Sequence, residues 1–113
     1  MHLVINLMQI KILGENMAMN INEMLKKAKR LQGEMEKEEQ ELANKEFFVE
    51  LQGIKVIILG NYKIKSIKLN EALIDPDDPE LIEDLIVVAI NQAIDLVNQA
   101  HDEISSKFSP AGM

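Results

Sequence analysis

The segment from Asp78 to Phe108 places an apolar residue at nearly every third or fourth position: Leu81, Ile82, Leu85, Ile86, Ala89, Ile90, Ala93, Ile94, Val97, Ala100, Ile104 and Phe108. That period is helical. Val87, Val88 and Leu96 widen the stripe, so between Leu85 and Val97 most of the helix circumference is apolar. A helix of this kind needs cover on more than one side. Asp78 is placed to cap it, Pro79 suits the first helical position, and Glu80 complements the positive end of the helix dipole. Ser109-Pro110 ends it, and residues 109–113 form a short tail.

A second helical pattern precedes it. Ile21, Met24, Leu25, Ala28, Leu31, Met35 and Leu42 fall at spacings of three and four, which predicts a helix from about Asn22 to Asn44. Asn20 with Glu23 three residues on is a capping-box-like start. The stripe is narrow, so this helix packs by one side. Its charges are polarised: Lys26, Lys27, Lys29 and Arg30 lie in the first half, and Glu34, Glu36, Glu38, Glu39 and Glu41 in the second.

Three short strands separate the helices. Phe47–Leu51 is followed by a tight Gln52-Gly53 connection. Ile54–Leu59 is apolar on both faces from Val56 onward, as in a strand covered on two sides. Gly60-Asn61 suits a two-residue type II′ turn. Tyr62–Leu69 changes face midway, and a bulge near Lys65-Ser66 reconciles its two halves. Asn70–Asp77 is a connector with room for one helical turn. The fold class is α+β, in the order α-β-β-β-α, with a three-stranded antiparallel sheet and two long helices.

A 20-residue helix spans about 30 Å. Strands of five to eight residues cannot cover two such helices, so their ends must project or pair. A symmetric homodimer meets that need. Its expected contact surface is Val56 and Ile58 of the middle strand with Leu85, Ile86, Ala89, Ile90, Ala93, Ile94 and Val97 of the last helix. With 113 residues the chain is one domain, and a chain this short leaves much surface uncovered as a monomer. Residues 1–18 read as an extension ahead of the domain at 19–108, poorly ordered or loosely docked. They are either the product of an early start, with Met17 and Met19 as alternatives, or an added edge strand or interaction arm.

Several functions are disfavoured. There is no cysteine, so no disulfide, thiolate nucleophile or Cys-based zinc site can form. No apolar run reaches the roughly 18 residues of a membrane span. Asp75, Asp77, Asp78 and Glu80 lack the spacing and central glycine of a calcium loop, and a turn with a helix cap accounts for them. His101 has Asp102 beside it but no nucleophile or second ligand near in sequence, which reads as a helix-surface histidine. No phosphate loop, dinucleotide fingerprint, G-x-S-x-G or H-E-x-x-H motif occurs. No enzyme, cofactor, metal site or small-molecule substrate is expected.

The net charge of −7 opposes whole-surface attraction to nucleic acid, so the placement of charge decides. Two readings fit Lys26, Lys27, Lys29 and Arg30. They contact phosphate, or they form a solvated face with Glu23–Lys27 and Arg30–Glu34 helix pairs. Lys63, Lys65 and Lys68 on the third strand read as protection of a sheet edge, with a second basic patch as the alternative.

The runs MNINEMLKKAKRLQ (19–32) and ELANK (41–45), then IKSIKL (64–69), LIDPDD (73–78) and LIEDLIVVAINQA (81–93), resemble the YbaB/EbfC family of bacterial nucleoid-associated proteins. They agree in order and spacing over nearly all of residues 19–113. The resemblance implies a tweezer-like homodimer with protruding helices that binds duplex DNA in the cytoplasm, at the nucleoid, with a role in nucleoid organisation or gene regulation. It carries DNA contact onto Lys26, Lys27, Lys29 and Arg30, and onto Lys107 near the end of the last helix. Asp95, Asn98 and Gln99 stand where relatives often have lysines, and the glycine-rich stretch before the second strand is reduced to Gly53. The rival expectation is a dimeric protein-interaction scaffold, suggested by the acidic half of the first helix.

Overall fold

The computed structural model describes the backbone of residues 6–109 and the side chains of residues 20–109. The elements run α1 (Asn6–Ala43), β1 (Glu46–Leu51), β2 (Ile54–Leu59), β3 (Ile64–Leu69), one 3-10 turn (Glu71–Leu73) and α2 (Pro79–Lys107). This is the expected α-β-β-β-α order. The chain divides into a unit ending at Glu34 and a unit from Met35 onward, and each is described by itself.

In the N-terminal unit, α1 already spans Asn6, the first described residue, and does not start at Asn22. Half of residues 6–19 are Leu, Met or Ile and none is proline, so they continue a helix despite Gly14. Asn20 lies inside the helix and caps nothing. Residues 20–30 are all exposed, including the apolar stripe residues Ile21, Met24 and Leu25.

The C-terminal unit holds the core. Its sheet has the order β1-β2-β3, antiparallel throughout. Val56 pairs with Val49 on one side and Ile67 on the other, and Ile54 pairs with Leu51 and Leu69. Directly paired residues share a face. One face therefore carries Val49, Ile54, Val56 and Ile58, all buried. The row Leu85, Ala89, Ala93, Val97 of α2, four residues apart, lies buried on them. The two alanines let the helix axis approach the sheet closely. The four fully enclosed aliphatic side chains, Ile54, Val56, Ile58 and Val97, each contribute about 1.5–3 kcal/mol relative to exposure.

These positions correct part of the expected dimer surface. Val56, Ile58, Leu85, Ala89, Ala93 and Val97 are consumed by the chain's own core and have little or no area left for a partner. Ile86, Ile90 and Ile94 are only half-buried. The wide apolar arc of α2 thus has one row for the sheet and a second row beside it.

The two hairpins differ. Gln52 (φ 46°) and Gly53 (φ 90°) both lie in the left-handed region, as a type I′ turn requires. The second turn is not the expected type II′, because Gly60 does not take a positive φ. Three residues, Gly60, Asn61 and Tyr62, form the loop. Tyr62 N–H donates to Leu59 O (2.8 Å), Leu59 N–H donates to Lys63 O (2.8 Å), and Tyr62 takes the left-handed conformation at φ 71°. Gly60 is needed for another reason. A Cβ there would stand 1.7 Å from the carbonyl oxygen of Leu42, where the last turn of α1 crosses the loop. The same glycine donates its N–H to Lys45 O at 2.9 Å.

The bulge expected in β3 is present. Ser66 pairs with Ile57 and Ile64 with Ile58, which leaves Lys65 unpaired between them. The connector is pinned by side chains: Asn70 Oδ1 accepts from Ala72 N–H (3.0 Å) and Asp75 Oδ1 from Asp77 N–H (2.9 Å). Asp78 holds the N-cap position of α2, and Pro79 follows it, but the Asp78 side chain makes no cap bond.

Replacing Gly60 with Ala forces the α1–loop crossing apart, because backbone, not a flexible side chain, occupies the space. Such overpacking is expected to cost roughly 3 kcal/mol, read as a lowered midpoint in urea unfolding. Gly33→Ala, in open space, is the matched control.

Candidate nucleic-acid interface

Lys26, Lys27, Lys29 and Arg30 lie on α1 within the N-terminal unit and are all exposed. Residues 26, 27, 29 and 30 wrap about half of the helix circumference at 100° per residue, beside the stripe of Met24, Leu25 and Ala28. No ion pair joins them to an acidic partner among the described residues. Four unpaired cations within two turns make a cationic surface that can follow a row of phosphates.

Lys107, also expected at a DNA contact, has a different setting. Its Nζ lies 2.9 and 3.1 Å from the two carboxylate oxygens of Glu38 and over the ring of Phe108, 5.4 Å from the centroid. Its charge is answered within the chain, on the C-terminal unit. Lys65 is likewise paired with Glu46 across the sheet. Lys63 lies in the loop before β3, and Lys68 is exposed on β3, which is an edge strand.

His101 is not the plain surface histidine that its neighbours in sequence suggest. It is half-buried, and its two ring nitrogens face two acceptors. Nε2 lies 2.8 Å from Gly60 O, and Nδ1 lies 3.0 Å from Glu39 Oε2. A neutral ring donates to one of these, and an imidazolium to both. Tyr62 stacks on the imidazole at 5.4 Å between centroids and 8° between planes, and its hydroxyl donates to Asn98 Oδ1. These contacts tie the last turns of α1, the β2–β3 loop and α2 together. They also hold Tyr62 in a backbone conformation that is unfavourable for a bulky residue.

A further apolar surface lies on the C-terminal unit. Helix α2 packs across β1 and β2. The core-side residues of β3 are left open: Ile64, Ile67 and Leu69 are 40%, 39% and 36% exposed. Ile86, Ile90 and Ile94 form an i,i+4 row on α2 that continues to Asn98, the partner of Tyr62 in the β2–β3 loop. The opposite flank of α2, with Gln92, Leu96 and Gln99, lines a groove with Phe48 and Glu50 of β1. The isoleucine row therefore lies on the β3 side, next to the open strand.

Residues 17–113 match the model of the YbaB/EbfC DNA-binding family. The chain belongs to this family. It is 63% identical over 91 residues to a nucleoid-associated protein of Metamycoplasma arthritidis, covering 80% of this chain and 96% of the relative. A nucleoid-associated protein of Mycoplasmopsis pulmonis is 46% identical over 94 residues, 83% of this chain and 93% of the relative. One from Lactobacillus johnsonii is 35% identical over 92 residues, 80% and 84% of the two chains. Family membership agrees with the α-β-β-β-α order found here. Among the described residues no helix is long and apolar enough to cross a membrane, and no group of three or more His, Asp or Glu is placed to hold a metal ion.

Sequence reasoning missed the partners of His101. Glu39, Gly60 and Tyr62 lie 62, 41 and 39 residues away, and no local pattern signals them. The two kinds of polar tether differ in energetic weight. His101→Ala removes the ring's hydrogen bonding to Gly60 or Glu39 and the stacking on Tyr62, and should cost about 1–3 kcal/mol. Lys107→Ala breaks an exposed pair and should cost under about 0.5 kcal/mol. Paired denaturant titrations check this order.

Proposed function

We propose that this member of the YbaB/EbfC DNA-binding family is a nucleoid-associated protein that binds duplex DNA as a homodimer, mainly through phosphate contacts from Lys26, Lys27, Lys29 and Arg30 of both subunits. The observation that carries the reading is the cluster of four exposed cations on α1, with no ion-pair partner among the described residues, in a chain of net charge −7. Overall charge repels DNA, so attraction must be local, and this cluster is the densest local source. The DNA-binding family and relatives named as nucleoid-associated proteins support DNA as the polymer and the nucleoid, within the cytoplasm, as the proposed place. A role in nucleoid organisation or gene regulation follows from that place. Lys107 is a minor contributor in this reading, because Glu38 answers its charge.

The dimer contact that fits is the open face of β3 with the isoleucine row of α2: Ile64, Ile67, Leu69, Ile86, Ile90 and Ile94. These side chains are apolar, contiguous on one side of the unit, and incompletely covered. A two-fold contact would lay the row of one subunit on the open strand of the other, which is self-complementary in the sense a symmetric pair requires. Ile86, Ile90 and Ile94 belong to the surface expected from the sequence, and the β3 residues take the place of the six that entered the core.

Binding driven by counterion release weakens steeply with salt, by about 0.9 in log K per phosphate contact for each unit of log salt. Charge reversal of Lys26, Lys27, Lys29 and Arg30 to Glu should abolish a duplex gel shift at low salt, and Lys27→Ala should flatten the salt slope. A shift that survives the fourfold reversal refutes the assignment. If no shift appears at low salt even with the unaltered chain, the scaffold reading replaces it.

The dimer is tested separately. Ile67→Asp or Ile90→Asp should convert a dimer mass to a monomer mass in light scattering at micromolar concentration, with the helical circular dichroism retained. A monomer mass for the unaltered chain removes the dimer.

A further inference from the structure

Within the C-terminal unit, the face of the sheet opposite α2 is largely exposed, and its composition is not that of an ordinary solvated face. Cross-strand pairing arranges its side chains in rows. One row is Phe48, Ile57 and Ser66, from β1, β2 and β3; the next is Glu50, Lys55 and Lys68. Phe48 is 65% exposed, against 44% for Tyr62, and it lies beside half-buried Ile57. Lys55 and Lys68 stand directly opposite each other, both exposed and with no ion pair among the described residues. Like charges directly opposite on a sheet destabilise it. Glu50, across from Lys55 on the other side, answers one of the two, so the row keeps a surplus positive charge. Phe48, Glu50, Lys55, Ile57, Ser66 and Lys68 together line an open groove of about 310 Å³.

We propose that this groove binds a short stretch of single-stranded DNA, with one base stacked on Phe48 and an adjacent phosphate held between Lys55 and Lys68. An aromatic ring lying open on a sheet, with cations one row away, is the arrangement by which single strands are held without regard to sequence. Neighbouring rows are about 6.7 Å apart, two residues along a strand, a distance the sugar and phosphate of one nucleotide can bridge. The strand must be single because the faces of paired bases are closed by stacking in a duplex. DNA is the polymer to expect because the chain belongs to a DNA-binding family. The site shares no residue with the cluster on α1, nor with the face of β3 assigned to the dimer. Glu50 repels the phosphate and keeps the attachment weak, as suits transient capture of an opened strand.

The test is fluorescence anisotropy of a labelled oligothymidylate about 12 nucleotides long, within the usual site sizes for such surfaces, at low salt with the full chain. Phe48→Ala should weaken binding roughly tenfold, the usual scale for losing one stacked base, and Phe48→Trp should retain it. The pair Lys55→Glu with Lys68→Glu should abolish it, and Glu50→Gln should tighten it several-fold. All these side chains are exposed or at the rim, so circular dichroism should be unchanged. The same variants should leave the duplex gel shift intact, and the fourfold reversal on α1 should leave oligothymidylate binding measurable, so the two sites fail independently. No binding of the oligomer, or binding indifferent to all sheet variants, overturns the proposal. A mass above the dimer in light scattering that Phe48→Ala abolishes, without any effect on the oligomer, also overturns it, by assigning the face to a further copy of the chain.

Discussion

The docking of one row of α2, Leu85, Ala89, Ala93 and Val97, onto Val49, Ile54, Val56 and Ile58 is the contact on which the rest of the C-terminal unit depends. A three-stranded sheet has little stability alone and needs one face covered. The alanines set the helix close to β1 and β2. Because one helix is narrower than three strands, β3 keeps its core-side residues half open. The same placement turns Ile86, Ile90 and Ile94 toward that open strand. Core and proposed dimer surface are thus two consequences of one helix position.

The polar tethers are arranged around this contact. His101 and Asn98 of α2 reach the β2–β3 loop through Gly60 and Tyr62, and Glu39 of α1 joins from the other side. Gly60 lets the last turn of α1 approach where no side chain would fit. Favourable contacts offset the unfavourable backbone of Tyr62. The cations proposed to meet duplex DNA belong to the N-terminal unit, where they are exposed and make no ion pair among the described residues.

Much of the fold was legible in the sequence. The period of α2, its Asp78-Pro79 start, the Gln52-Gly53 turn and the bulge at Lys65-Ser66 are written in local spacing and local turn chemistry. The start of α1 was misplaced because a capping-box pattern at Asn20 competes with a stretch of good helix formers before it, and the longer helix won. The second turn was misassigned because Gly60 is required by a long-range approach of Leu42 and not by its own φ. The basic cluster of the candidate site is visible as a run of charges, but its lack of acidic partners among the described residues, and the pairing of Lys107 with Glu38, are not.

The sequence by itself determined the order of elements, the family, the aliphatic character of the core and the polarised charge of α1, because each is a property of neighbours within a few turns or strands. Only the tertiary structure decided which apolar row of α2 meets the sheet. A helix that is apolar over most of its circumference does not state which side faces inward, and the small volume of Ala89 and Ala93 settles it only once β1 and β2 lie beneath them.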